Sequence, residues 1–239
     1  MKLLVDAGNT RIKYTIFQAG KFSTIHTVST GNLTPELSAD VIAKITGCLI
    51  ASVKQSDAIL AVIDWCEKHN IPIQQLRSTE HHKGLINSYP EPRTLGVDRW
   101  LAMLGAMKLF PSTSLMVVDA GTATTLDCIS QQGKHLGGWI IPGIALQMST
   151  LFDKAEKIHG EPVAINNIAL GNNTSMAVSQ GALIATLGLI EQGVKLCAEQ
   201  GLKPHVILTG GNADYVSQHL VLEHHVDPAL IFHGMSQYC

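Results

Sequence analysis

Hydrophobic residues follow two rhythms along this chain. Short solid aliphatic runs that close on an acid, a hydroxyl or a glycine predict buried strands: LLVDAG from residue 3, GCLIASV from 47, LMVVDAG from 115 and HVILTGG from 205. KHLGGWIIPG, from 134, predicts a strand ending at Pro142-Gly143, and ALIFHG, from 229, a last short strand. Apolar residues at helical spacing mark DVIAKI, SDAILAVIDWCEKHN, GVDRWLAMLGAMKLF, MSTLFDKAEKI and the long SMAVSQGALIATLGLIEQGVKLCAEQG. Asn70 with Pro72 beyond it stops the second of these, and Asp98 is the expected N-cap of the third, with Leu101, Leu104 and Met107 along one face.

The pattern repeats. LLVDAGNTRIKYTIF at residue 3 and LMVVDAGTATTLDCIS at residue 115 share an apolar strand, Asp-Ala-Gly, a hydroxyl-bearing turn and a second β-prone stretch. Asp6 and Asp119 stand about half the chain apart, so the sequence predicts an α/β protein of two similar domains, 1–112 and 113–239, each opening on a β-hairpin whose turn faces a shared cleft.

Composition narrows the partners. With 46% hydrophobic and 15% charged residues in 239, the chain can bury a proper core. Lys+Arg of 17 against Asp+Glu of 19 leaves a formal net charge of -2, which gives no global field to gather nucleic acid or an anionic membrane. The five cysteines are widely spaced without a CxxC, against a disulfide framework or zinc knuckle. An acid at residue 6 interrupts any signal segment, and no run approaches the roughly 18 apolar residues of a membrane span. The expectation is a cytoplasmic, unprocessed protein.

Neither a P-loop nor a dinucleotide fingerprint is present. Phosphate can also be held between glycine-bearing turns, and Gly8, Gly121, Gly137-Gly138 and Gly210-Gly211 suit that, with Asn9, Thr10, Thr122, Thr124 and Thr125 as donors. A plain hairpin turn chosen for glycine stays open as the alternative. Asp6 and Asp119 at such turns imply cations, since a bare carboxylate repels phosphate; magnesium is the ordinary solution for Asp6, and a turn-capping role the simpler one for either acid. Lys13 shares a strand face with Arg11 and can reach phosphate, or is a solvated surface lysine. Asp98 can take a hydroxyl proton while Arg99 grips a substrate carboxylate, or the two are a helix cap and a surface charge. The adjacent pairs His81-His82 and His224-His225 read as surface residues.

Taken in order, DAGNTRIK (6–13), LGVDR (95–99), DAGTATTLD (119–127), GGWIIPG (137–143), GNNT (171–174) and LTGG (208–211) resemble the motifs of the type III pantothenate kinases, members of the actin-like ATPase and sugar-kinase superfamily. The resemblance spans nearly the whole chain. It implies two actin-like (ribonuclease H-like) domains, each a mixed central sheet flanked by helices, with a cleft between. It implies phosphorylation of pantothenate by ATP, the first step of coenzyme A biosynthesis. Asp6, Ala7, Gly8, Asn9, Thr10, Arg11, Ile12, Lys13 and Thr122 would bind ATP, with magnesium near Asp6. Asp98 would be the general base, and Tyr89, Gly96, Val97, Asp98, Arg99 and Thr174 would line the pantothenate site. Asp119 would hold a monovalent cation, potassium or ammonium, and the protein would be a homodimer. Proteins similar to this family are also described as transcription accessory factors, so an accessory factor or an ATP-binding pseudokinase is the alternative. A base at Asp98 beside two phosphate turns favours the kinase.

Overall fold

In the computed structural model, residues 1–8, 11–29, 37–52 and 57–239 are described. They form two units, Met1–Phe110 with Ala229–Cys239, and Pro111–Pro228.

In the first unit the run KLLVDA forms β1 (Lys2–Ala7), with Leu3, Leu4 and Val5 fully buried. A strand covered on both faces reads as a solid apolar run, and β1 lies mid-sheet. Antiparallel β2 (Arg11–Gln18) flanks it on one side and parallel β5 (Cys48–Ser52) on the other. The two-residue β3 (Lys21–Phe22), β4 (His26–Ser29) and β6 (Ile73–Gln75) complete the order β3-β2-β1-β5-β6, with β4 also on β2. Helix α1 (Ala39–Ile42) is one turn, shorter than DVIAKI predicts. Helix α2 (Asp57–Lys68) buries Ile59, Val62 and Trp65 among Leu3, Val5, Ile12 and Ile50. Asn70, at φ 54°, adopts the left-handed conformation that follows a helix end, as its sequence position predicts. A small hairpin, β7 (His81–His82) with β8 (Leu85–Ile86), then leads through a 3₁₀ turn (Pro92–Thr94) to α3 (Val97–Leu109).

The second unit repeats the plan. Its sheet joins β9 (Leu115–Ala120), β10 (Ala123–Ile129), β11 (His135–Pro142), β12 (His205–Thr209) and β13 (His224–Val226) in the order β11-β10-β9-β12-β13. Helices α4 (Ile144–Lys154), α5 (Thr174–Glu199) and α6 (Ala213–Ser217) belong to it. By length and composition α5 is long and apolar enough to cross a membrane, which the sequence reading excluded for every stretch. One of its faces, with Leu183, Leu187 and Ile190, is buried among Met116, Val118, Val206 and Leu208. All five cysteines are free thiols.

Three expectations are corrected here. ALIFHG is not a strand but helix α7 (Leu230–Met235). A short apolar run does not itself distinguish strand from helix, and here close packing decides: a side chain on Gly105 would strike the backbone of Leu230, and one on Gly234 that of Leu101. Through that contact residues 229–239 belong to the first unit, so its boundary differs from the expected 1–112 and 113–239. Finally, Gly96 is the N-cap of α3, and Asp98 stands inside the first turn.

Candidate active site

The first turn is set by β1 and β2. Gly8 N–H donates to Arg11 O at 3.1 Å, and Asp6 pairs across the ladder with Lys13, Ala7 with Ile12. Directly opposed residues share a sheet face, so the half-buried Lys13 brings positive charge to the side of the half-buried Asp6. Arg11 is exposed, whereas Ala7 and Ile12 are buried and offer the turn their backbone. Asn9 and Thr10 lie outside the described residues.

The second turn is braced from several strands. Gly121 N–H donates to Ala123 O at 3.0 Å, Gly143 N–H to Thr122 O at 2.9 Å, and Asn212 N–H to Ala120 O at 2.8 Å. Asp119, half-buried at the end of β9, lies between Thr125 of β10 and Thr209 of β12. Its carboxylate covers Gly210, whose φ of +94° and lack of space for a Cβ both demand glycine. Gly143 meets the same limit against the carbonyls of Gly121 and Thr122. Thr122 is exposed at the turn. Thr124 is buried, whereas the sequence offered it as a donor at the turn. Gly137 and Gly138 are also not a turn: they lie within β11, opposite Cys128 and Asp127, where the ladder shifts register. Beside Asn212 a cavity of about 260 Å³ opens, lined by Ile144, Met148, Val163, Ser179 and Tyr215.

The remaining predicted residues, Thr174 apart, gather in the first unit. Arg99 is 6% exposed; its Nη1 donates to the Tyr89 hydroxyl at 3.0 Å, and its guanidinium lies 5.7 Å from the Tyr89 ring centroid. Asp98 Oδ1 accepts from Arg99 N–H at 2.8 Å and stays half-buried, so the acid is reachable beside a fixed cation. Gly96 is half-buried, while Val97 is buried and presents backbone. Asn87 was not anticipated. Its Nδ2 donates to Thr79 O and Pro92 O, both at 3.1 Å, and its Oδ1 accepts from Tyr89 N–H at 3.0 Å, which shapes the loop that carries Tyr89. The only sequence signal was an Asn two residues before that Tyr, the spacing of an Asx turn. Thr174 is exposed at the start of α5, in the second unit, where Asn173 Oδ1 caps Met176 N–H at 2.9 Å; it is not part of the cluster within the first unit.

Of the histidines read as surface residues, His81 and His225 are exposed, while His82 and His224 are half-buried. His224 bonds Ser217 Oγ at 2.7 Å. No cluster of metal-ligating side chains occurs among the described residues.

The sequence profile of the family described as type III pantothenate kinase matches residues 2–196. A type III pantothenate kinase from Colwellia psychrerythraea is 33% identical over 223 residues, 93% of this chain and 90% of that protein. Among solved structures, a Campylobacter jejuni protein named as a Baf family transcriptional activator superposes with a TM-score of 0.58 at 22% identity, covering 98% of this chain and 96% of that one. A Sinorhizobium meliloti protein named as a 2-dehydro-3-deoxygalactonokinase gives 0.57 at 14% identity, covering 99% and 97%. These two likenesses establish the fold that actin-like ATPases and sugar kinases share.

Proposed function

The chain belongs to the type III pantothenate kinase family, and on that premise we propose that it transfers the γ-phosphoryl group of ATP to the primary hydroxyl of pantothenate. The observation that carries this reading is the buried Arg99 held by Tyr89, with the reachable Asp98 carboxylate beside it. A guanidinium fixed by a hydroxyl and an aromatic face suits the carboxylate end of pantothenate. Asp98 then accepts the proton of the attacking hydroxyl.

Backbone N–H groups of the first Asp-Ala-Gly turn, with Arg11 and Lys13, suit the phosphates of ATP, and the second turn, with Thr122, is built for an anion in the same way. The cavity beside Asn212 takes the adenosine. Phosphoryl transfer leaves the protein mainly positioning and charge stabilisation to perform, and glycine-built turns serve both. Asp6 is a single half-buried carboxylate at a strand end. That fits magnesium, which takes one or two carboxylates and completes its shell with water and phosphate oxygen. Asp119 offers a hard oxygen donor near the end of β9, suited to potassium or ammonium. Bound there, these ions offset phosphate charge.

We infer a homodimer, since the large apolar side chains left exposed concentrate in the second unit: Ile140, Ile168, Leu170 and Ile184 are among them. A cytoplasmic setting suits the free thiols. Nucleic acid and membrane are not expected partners, given the net charge of -2. The likeness to a protein named as a transcriptional activator is one of fold at 22% identity and adds no binding chemistry here.

A coupled assay of ATP turnover with and without pantothenate tests the reading. ADP release that depends on pantothenate, with a product heavier by one phosphate, is expected. ATP turnover indifferent to pantothenate, or none at all, overturns it.

A further inference from the structure

Two elements carry the Tyr89–Asp98–Arg99 cluster: hairpin β7–β8, which runs on to Asn87 and Tyr89, and the first turn of α3. Tyr238, next to the last residue of the chain, touches both. Its ring lies face to face with His82 of β7, the centroids 4.0 Å apart and the planes within 5°. Its hydroxyl accepts a hydrogen bond from Nε1 of Trp100 at 3.0 Å. Trp100 directly follows Arg99 and is fully buried, so its indole N–H depends on a protein partner. Around this contact, His82 Nε2 lies 3.4 Å from Gln237 O, and Lys108 Nζ donates to Ser236 Oγ at 2.7 Å. Burial raises the Tyr238 pKa above the ordinary phenol value, against the opposing pull of the Trp100 bond, so the phenol stays neutral at physiological pH.

We propose that Tyr238 is a positioning residue for the pantothenate site, tying the hairpin that leads to Tyr89 to the helix that bears Asp98 and Arg99. The proposal rests on reading that cluster as the pantothenate site. On one side the two elements are joined by the Arg99–Tyr89 hydrogen bond. On the other they are joined by His82, Tyr238 and Trp100. A pocket built from two separate elements recognises its ligand only if their spacing is held to about 0.5 Å, and contacts on one side fix that spacing better when the far side is tied as well. The stack adds a rigid face, and the indole bond sets its height against α3. Tyr238 touches no substrate in this role; it acts through Tyr89 and Arg99.

The test compares Tyr238→Ala and Tyr238→Phe in the full chain, by steady-state kinetics in both substrates and by backbone hydrogen exchange. Tyr238→Ala is expected to raise KM for pantothenate about tenfold while KM for ATP stays within about twofold, and Tyr238→Phe, which keeps the stack, about threefold. Exchange should speed up both in residues 81–89 and at the start of α3. A pantothenate KM within about twofold of the parent in both variants, or equal rises in both KM values, overturns the proposal. If Tyr238→Ala does not fold, the Phe variant decides alone by the same criteria. Should the parent leave pantothenate unphosphorylated, exchange separates the two ideas. Faster exchange in both segments keeps the tie and drops only the substrate, and unchanged exchange removes the tie as well.

Discussion

The two units use one sheet plan for different work. In each, a central strand pairs antiparallel with a hairpin partner and parallel with a later strand, giving β3-β2-β1-β5-β6 in one and β11-β10-β9-β12-β13 in the other. Each central strand ends in Asp-Ala-Gly, and in each the turn glycine donates to the carbonyl three or two residues on, Arg11 or Ala123. The surroundings differ. The first unit has a two-residue outer strand and spends its extra chain on hairpin β7–β8 and α3, which bring Tyr89, Asp98 and Arg99 together. The second has an eight-residue outer strand whose following glycine, Gly143, braces the turn after β9. On the proposed reading, a repeated scaffold supplies two anion-holding turns, and the additions to one copy supply recognition and the base.

The largest effect should come from the addition that carries the base. Asp98→Asn keeps the size and the acceptor for Arg99 N–H but removes the proton acceptor, so kcat should fall roughly 10² to 10⁴-fold with the fold retained. Rapid-quench or coupled kinetics, with circular dichroism as control, measures it. A variant nearly as active as the parent would reduce Asp98 to a first-turn helix charge and leave the two units chemically alike.

The brace separates the two turns next. Gly143→Ala puts a methyl group on the carbonyls of Gly121 and Thr122. Overpacking against backbone costs about 1–3 kcal/mol, and because the phosphate turn itself must shift, KM for ATP should rise along with a lower Tm. Gly8→Ala is the matching change in the first unit. There the Cβ would stand 3.3 Å from Arg11 O, and Gly8 is not among the glycines with positive φ. Its stability change should stay within about 0.5 kcal/mol. Equal losses in thermal melts of the two variants would contradict the asymmetry.

What was legible beforehand follows from the same physics. Central strands announce themselves because both faces are covered, so β1, β5, β9 and β12 stood out as solid apolar runs. Long amphipathic helices did likewise. Strands of two to four residues such as β3, β4, β7 and β8 carry too few positions for any period to emerge. ALIFHG became a helix through glycine contacts with α3, more than 120 positions earlier in the chain, which no local pattern encodes. At the site, motifs pointed to Asp98 and Arg99, yet not to the burial of Arg99, because Tyr89 reaches it from a loop that Asn87 shapes through hydrogen bonds. Thr124 shows the limit of composition: adjacent threonines in a strand face opposite ways, and only the sheet decides which one is turned inward.

The smallest effect concerns the acids at the turns, the feature the units share most closely. Asp6 pairs across its ladder with Lys13, whereas Asp119 stands between two threonines. The first acid therefore has a cation opposite it on its own sheet face, and its counterpart has a threonine opposite it on either side. A cation beside Asp119 would offset its charge as phosphate approaches, since two like charges 4 Å apart repel by roughly 4 kcal/mol at an intermediate dielectric. Activity should rise when sodium is replaced by potassium or ammonium at constant ionic strength. Asp119→Asn should blunt that response and raise KM for ATP a few-fold, while stability falls by no more than about 1–2 kcal/mol, the cost of a turn-capping carboxylate. Asp6→Asn should leave the potassium response intact and weaken the dependence on magnesium. Equal activity in sodium and potassium would remove the ion from Asp119, and unfolding of Asp119→Asn would give that acid a purely structural place over Gly210.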